Sequence, residues 1–298
     1  MMRSIRAFWT CLATLGALSI HGGVQGLTVG TIHGVQHHAH SVQSPDAYTQ
    51  KPDAEGPSNQ GENRKDLKAP AGSELRSIKV GGAVEDTVLG YQTAILQPET
   101  ITQALIFNAI FFSTKFNAGQ YTENQLAWGD VDAWEAGATA THPAGTRVTS
   151  IDALDALVNE FSNSEKHPKV RNVTVVGHEG GGQLGQQYAM LAKAPATGVH
   201  VRYVHGDPSS CAYFSKDRPK YDKEDLPSLQ DCETYNNWRY DFDESPGTRD
   251  GIVDPREFFW RHVTRDIVSI VGYQDTSKSK GDQFCMACIQ GGKKRIAT

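Results

Sequence analysis

Apolar positions along this chain change period from one stretch to the next, and the changes mark out its elements. "SIKV" and "TVLGYQTAIL" are short β-branched and apolar runs bounded by glycines, the pattern of strands. "IDALDALVNEFS" places Ile151, Leu154, Leu157, Val158 and Phe161 on one side at helical spacing, which predicts an amphipathic helix. In "VTVVGHEGGGQLGQQYAML" a β-branched run leads into glycines and then a helix-forming run, a strand-to-helix turn with Glu179 at its tip. "VHVRYVHG" and "DIVSIVGYQD" read as two further strands. Short apolar strands alternating with helical patterns predict an α/β fold: a mostly parallel sheet with helices on both faces. Active residues of such sheets gather at strand carboxyl ends, where Glu179, Asp207 and Asp275 stand.

One stretch resists this scheme. In "QALIFNAIFFSTKFN" only Asn108 and Ala109 separate the run Ala104 to Phe107 from the run Ile110 to Phe112. Parallel neighbours need a crossover of about a dozen residues. Either this is one long strand, or a segment that normally lies between the runs is absent.

The pattern divides the chain into three parts. Residues 1–26 have a basic start at Arg3 and Arg6, an apolar stretch from Ala7 to Ile20 and then small residues, which reads as a secretory signal. That stretch is shorter than the roughly 20 residues a spanning helix needs. Residues 27–73 are polar and rich in Pro, Gly, Ser, Gln and Asn, with His33, His37, His38 and His40 among them. They bury too little to offset the entropy of ordering and read as a disordered leader. Residues 74–298 form the expected domain. With 29 Lys and Arg against 34 Asp and Glu, the net charge of −5 gives no reason to expect nucleic acid or an anionic membrane as partner.

Secretion changes how the cysteines read. Cleavage after the signal leaves Cys211, Cys232, Cys285 and Cys288, and four cysteines in an oxidising compartment suggest two disulfides with three possible pairings. Cys285-x-x-Cys288 also has the spacing of half a zinc site or of a redox motif, although no second ligand pair accompanies it. Asn172-Val173-Thr174 is a formal glycosylation acceptor at the start of a strand.

The turn "GHEGGG" has the shape of a nucleophile elbow, with Gly177, Gly181 and Gly182 relieving crowding. Asp275 is placed as the acid of a Ser, Asp, His order, but no histidine follows His262 to serve as base. "GGGQLG" formally fits a dinucleotide loop, yet it lies mid-chain in a protein with a secretory leader, and no cofactor is expected. Asp241, Asp243, Asp250 and Asp254 do not follow the order of a calcium loop. His178 and His205 read as supporting or core residues rather than catalytic ones.

These features together resemble the secreted α/β-hydrolase-fold proteins common in filamentous fungi, relatives of serine esterases and lipases. The likeness runs over residues 87–292 and is carried by "FFSTKFNAGQYTENQLAWGDVDAWEAG", "TSIDALDALVNEF", "DPSSCAYF", "CETYNNWRYDF" and "FCMACIQGGKKR". The resemblance implies a disulfide between Cys232 and Cys285, an oxyanion donor at the N–H of Gly180, and a substrate or ligand that is a small hydrophobic, ester-like molecule. It also exposes departures. Glu179 stands where the family has serine, the His-Gly oxyanion loop has no counterpart beside "QALIF", and the catalytic histidine lies beyond Thr298. The expected architecture is therefore α/β-hydrolase-like but incomplete at the oxyanion loop and the C-terminus. Of a triad and its oxyanion donors only Asp275 and the Gly180 N–H remain, so ordinary esterase activity is not expected. The expected protein is a catalytically degenerate hydrolase that binds a small hydrophobic molecule or a partner. Two alternatives are an incomplete sequence of an active ester hydrolase and a hydrolase that uses Glu179 as a carboxylate nucleophile.

Overall fold

The computed structural model describes residues 26–31, 73–82, 84–96, 104–194, 198–208, 210–218, 228–245, 254–270, 272 and 285–290. Asp275, the leader histidines and all but Gly26 of the stretch 1–26 that reads as a secretory signal lie outside them.

The elements, in chain order, are β1 (Gly26–Thr31), β2 (Ser73–Lys79), β3 (Val88–Leu96), β4 (Ala104–Ile110), β5 (Phe112–Ser113), β6 (Ala127–Trp128), α1 (Val131–Glu135), α2 (Ser150–Ser162), β7 (Asn172–His178), α3 (Gly180–Leu191), β8 (His200–Gly206), a 3-10 turn (Leu229–Asp231), α4 (Pro255–Thr264), β9 (Asp266–Ile270) and α5 (Cys285–Gln290). Seven strands form one sheet in the order β2-β3-β4-β1-β7-β8-β9, and β5 pairs with β6 separately.

The sheet is mixed, which corrects the expectation of a mostly parallel, α/β-hydrolase-like one. β2 pairs antiparallel with β3, and β3 antiparallel with β4. Only from β4 through β1, β7 and β8 to β9 do neighbours run parallel. Connection length is the physical reason. The links Val80–Thr87 and 97–103 are too short to carry the chain back across the sheet, so each strand returns beside its predecessor. "ALIFNAI" is one continuous strand, β4, and the chain turns at Phe111 before Phe112–Ser113 joins the small sheet. The place beside β4 is filled by β1, so residues 27–31 of the polar leader contribute a strand between β4 and β7.

Helices on both faces are also not found among the described residues. Val29 of β1 is in register with both Phe107 and Val175, and Val175 with Tyr203, so these three side chains share a face. On that face Phe161 of α2 stacks on Phe107 with ring centroids 3.4 Å apart, and Tyr188 of α3 meets Tyr203 edge-on at 5.8 Å. α4 packs on α3 and β9, and Arg265 just beyond it reaches the carbonyls of Ala189 and Ala192. No described helix lies over the alternate positions, where Val176 and Val204 are half-buried and Val268 and Ile270 exposed.

The α2 stripe is buried at all five expected positions. A capping box starts the helix: Thr149 Oγ1 accepts from the Asp152 N–H while the Asp152 carboxylate accepts from the Thr149 N–H. Each fully buried Leu or Phe in the stripe contributes about 1.5–3 kcal/mol, so tertiary packing rather than helix propensity holds this element. Asp155 on the buried side accepts a hydrogen bond from the Tyr188 hydroxyl at 2.9 Å, tying α2 to α3, and burial pushes its carboxyl up to about 6.

Candidate functional site

The site is built at the carboxyl end of β7. Glu179 links β7 to α3 with φ 52° and ψ −120°, a strained conformation for a residue with a side chain. Its N–H donates to Gly206 O at 3.0 Å, and its carbonyl accepts from the Gln183 N–H at 2.9 Å, so both sides of the turn are fixed by backbone. The neighbouring glycines are required by space. A Cβ on Gly177 would lie 1.9 Å from Gly181 O, and one on Gly182 would lie 2.2 Å from Gly206 O. The first turn of α3 therefore rests directly on the ends of β7 and β8.

Residues that sequence reasoning did not single out complete the site. A Cβ on Gly180 would lie 2.1 Å from Oε1 of Glu135, so the carboxyl at the end of α1 sits directly against the first residue of α3. Burial pushes the Glu135 carboxyl up to about 7; Asp132, Glu179 and Asp130 reinforce the shift and Arg239 opposes it. Near neutral pH the group is thus a mixture of acid and carboxylate. Arg239 lies 3.8 Å from the Asp132 carboxylate. Burial works against its charge, but Tyr240, Asp132 and Glu135 outweigh that and raise its pKa above the ordinary value.

Three glutamines on one side of α3 hold the surrounding loops. Gln183 Nε2 donates to Glu135 O at 3.4 Å, while its Oε1 accepts from the Ser210 hydroxyl at 2.7 Å. Gln186 accepts from the Ala212 N–H, and Gln187 donates to Arg239 O. The spacing of 183, 186 and 187 puts all three on adjacent rows of the helix. "GQLGQQY" carries this signal in sequence, but the identity of the loops it grips does not appear there.

The remaining predicted residues fall around the turn. Asp207 follows β8 with φ 42°, and its carboxylate accepts from the Gly272 N–H and faces His178 Nε2 at 3.2 Å. His178 is exposed and directed at Asp207, and His205 is buried in the sheet. Asn172 is half-buried at the first position of β7. A disulfide joins Cys232 to Cys285, and Cys211 and Cys288 retain thiols, so among the described residues one disulfide is formed where two were expected. No group of metal-ligating residues occurs among the described residues, and no described helix is long and apolar enough to cross a membrane.

One pair invites a catalytic reading and does not sustain it. Ser269 Oγ lies 2.7 Å from His205 Nε2, as in a nucleophile and base. Nδ1 of His205 is buried with no hydrogen-bond partner among the described residues. An unmet N–H is rarer in protein interiors than an unmet acceptor, which favours the tautomer with its proton on Nε2, donating to the serine rather than drawing its proton. Burial, with a smaller effect from His262, depresses His205 to about 4. The unfolded chain therefore protonates first as pH falls. The stabilisation is complete above about 6.5 and is lost progressively down to about 4, in total about 3 kcal/mol. Urea midpoints measured at pH 7.5 and 4.5 should fall further for the parent than for His205→Gln. Equal falls would assign the acid sensitivity to other groups.

No family model, no curated protein and no solved structure matches this chain.

Proposed function

We propose that this chain is a secreted protein related to ester hydrolases that has lost acyl transfer and holds a small ligand at the Glu179 turn. The observation that carries this is the seat of Glu135. Acyl transfer needs N–H donors at the start of the helix, open to a developing oxyanion. Here a carboxyl of the protein itself lies against Gly180 at the start of that helix, and its partial negative charge disfavours a second negative oxygen nearby. Glu179 supplies a carboxylate where a hydroxyl nucleophile would be needed, and the nearest imidazole, His178, faces Asp207. The ligand we propose is a small, ester-like apolar molecule whose hydroxyl or amine donates to the Glu179 carboxylate. The secretory leader and the Cys232–Cys285 bond support an extracellular setting.

The test is a fluorophosphonate serine-hydrolase probe together with a short-chain nitrophenyl ester. The parent should remain unlabelled and turn the ester over no faster than buffer. Glu179→Ser should gain little, because the Glu135 carboxyl still lies against Gly180. Strong labelling and turnover by the parent would sink the proposal.

A carboxylate-nucleophile hydrolase is the second reading, favoured by the strained backbone that holds Glu179 at the tip. Incubation with a small epoxide should then add the mass of one epoxide at Glu179, as a hydroxyalkyl ester whose alkoxide takes up a proton, and an unchanged mass removes this reading.

A further inference from the structure

We propose that Cys285-x-x-Cys288 is a thiol–disulfide exchange pair that releases Cys232. α5 spans Cys285–Gln290, so Cys285 and Cys288 are three positions apart on one helix and are surface neighbours, with Cβ atoms about 5–6 Å apart. Both are half-buried, whereas Ala287 and Gln290 are buried on the other side of the helix. Cys285 is already oxidised, bonded to Cys232, and Cys288 carries a thiol. A nucleophile and a disulfide therefore share one short helix face.

The chemistry balances within the protein. Cys288 gives up its proton, and its thiolate attacks Sγ of Cys285. The Cys285–Cys288 bond forms as the Cys232–Cys285 bond breaks, and Cys232 leaves as a thiolate that takes up a proton. One disulfide replaces another, so no oxidant or reductant is consumed.

Cys211 is kept out of this exchange. Its N–H donates to Gln290 Oε1 at 3.0 Å, and its carbonyl accepts from Gln290 Nε2. Gln290 lies two residues beyond Cys288, which at 3.6 residues per turn is about 200° around the helix. Cys211 is therefore held on the side of α5 opposite the Cys285–Cys288 stripe.

Exchange has a structural consequence. Cys232 lies in the loop that continues through Tyr235, Asn236, Arg239 and Asp241, and the disulfide is its covalent tie to α5. After exchange only non-covalent contacts, chiefly Gln290 to Tyr240 O at 2.8 Å, keep α5 on that loop. Arg239, which stands beside Asp132 and Glu135, is carried on the loop so released.

The full-length secreted protein is incubated at pH 8 to 8.5, alone and in glutathione buffers of graded ratio. It is then quenched in acid, alkylated and mapped as non-reduced peptides. The expected result is a second isomer with Cys285 linked to Cys288 and Cys232 alkylated. That isomer should be absent from Cys288→Ser. In Cys232→Ser, oxidised glutathione should close the Cys285–Cys288 bond. The proposal is overturned if Cys232 in the parent becomes alkylated only together with Cys285, or if the isomer that forms contains Cys211. Should Cys232→Ser fail to fold, the peptide map of the parent decides by itself.

Discussion

Gly182→Ala should abolish the folded state. The added methyl would meet Gly206 O at 2.2 Å, and that oxygen is backbone already accepting from the Glu179 N–H, so no side-chain rotation relieves the clash. The start of α3 would have to lift off β8, breaking that hydrogen bond and the approach of Gly181 to Gly177. We expect a loss of more than about 4 kcal/mol, against a total of about 5–15 kcal/mol for an ordinary domain. Gly81→Ala is the control, since nothing lies within 4 Å of the added carbon, and it should stay within about 0.5 kcal/mol of the parent. Urea unfolding followed by circular dichroism makes the comparison. A Gly182→Ala protein that unfolds within about 1 kcal/mol of the parent would show that α3 does not rest on β8 in this way.

Arg218→Ala should cost about 3–5 kcal/mol. The Arg218 guanidinium lies between the rings of Tyr213 and Tyr235, at 4.4 and 4.9 Å from their centroids. It donates to Asp241 Oδ2 at 3.2 Å, Asn236 Oδ1 at 3.1 Å and Ser215 O at 2.7 Å. Only 2% of its side chain and 6% of that of Asp241 are exposed. Removing one member strands the other charge out of water, and that penalty, more than the lost attraction, sets the size of the effect. Burial holds the Asp241 carboxyl above its ordinary value even with Arg218 beside it. Without Arg218 it takes up a proton more readily still, so the deficit should shrink as pH falls from 7 to 5. Adding Asp241→Asn should recover part of the loss at pH 7. A deficit that is the same at both pH values and unmoved by Asp241→Asn would mean that lost packing on the two tyrosines is responsible.

The two clusters differ in how far the chain announces them. The glycines around Glu179 were legible because a strand-to-helix turn with little room leaves a compositional mark. Arg218 was not, since its partners lie both close by, at Ser215, and far along the chain, at Tyr235, Asn236 and Asp241. Glu135 was illegible for a similar reason. It is one acid in "GDVDAWEAG", beside Asp130 and Asp132, and only the seating of α1 against Gly180 gives it a role.

The fold divides along the same line. Hydrophobic period by itself determined the α2 stripe from Ile151 to Phe161, the strands β7, β8 and β9, and the turn at Glu179, because burial of one face leaves its spacing in the chain. Period carries no strand direction. That β2, β3 and β4 run antiparallel, and that Gly26–Thr31 fills the place beside β4, was decided by tertiary structure, through link lengths and sheet pairing. Tertiary structure alone also set the chemistry of the turn. The chain supplied a carboxylate at position 179, and packing brought a second one, from Glu135, against Gly180 at the start of α3.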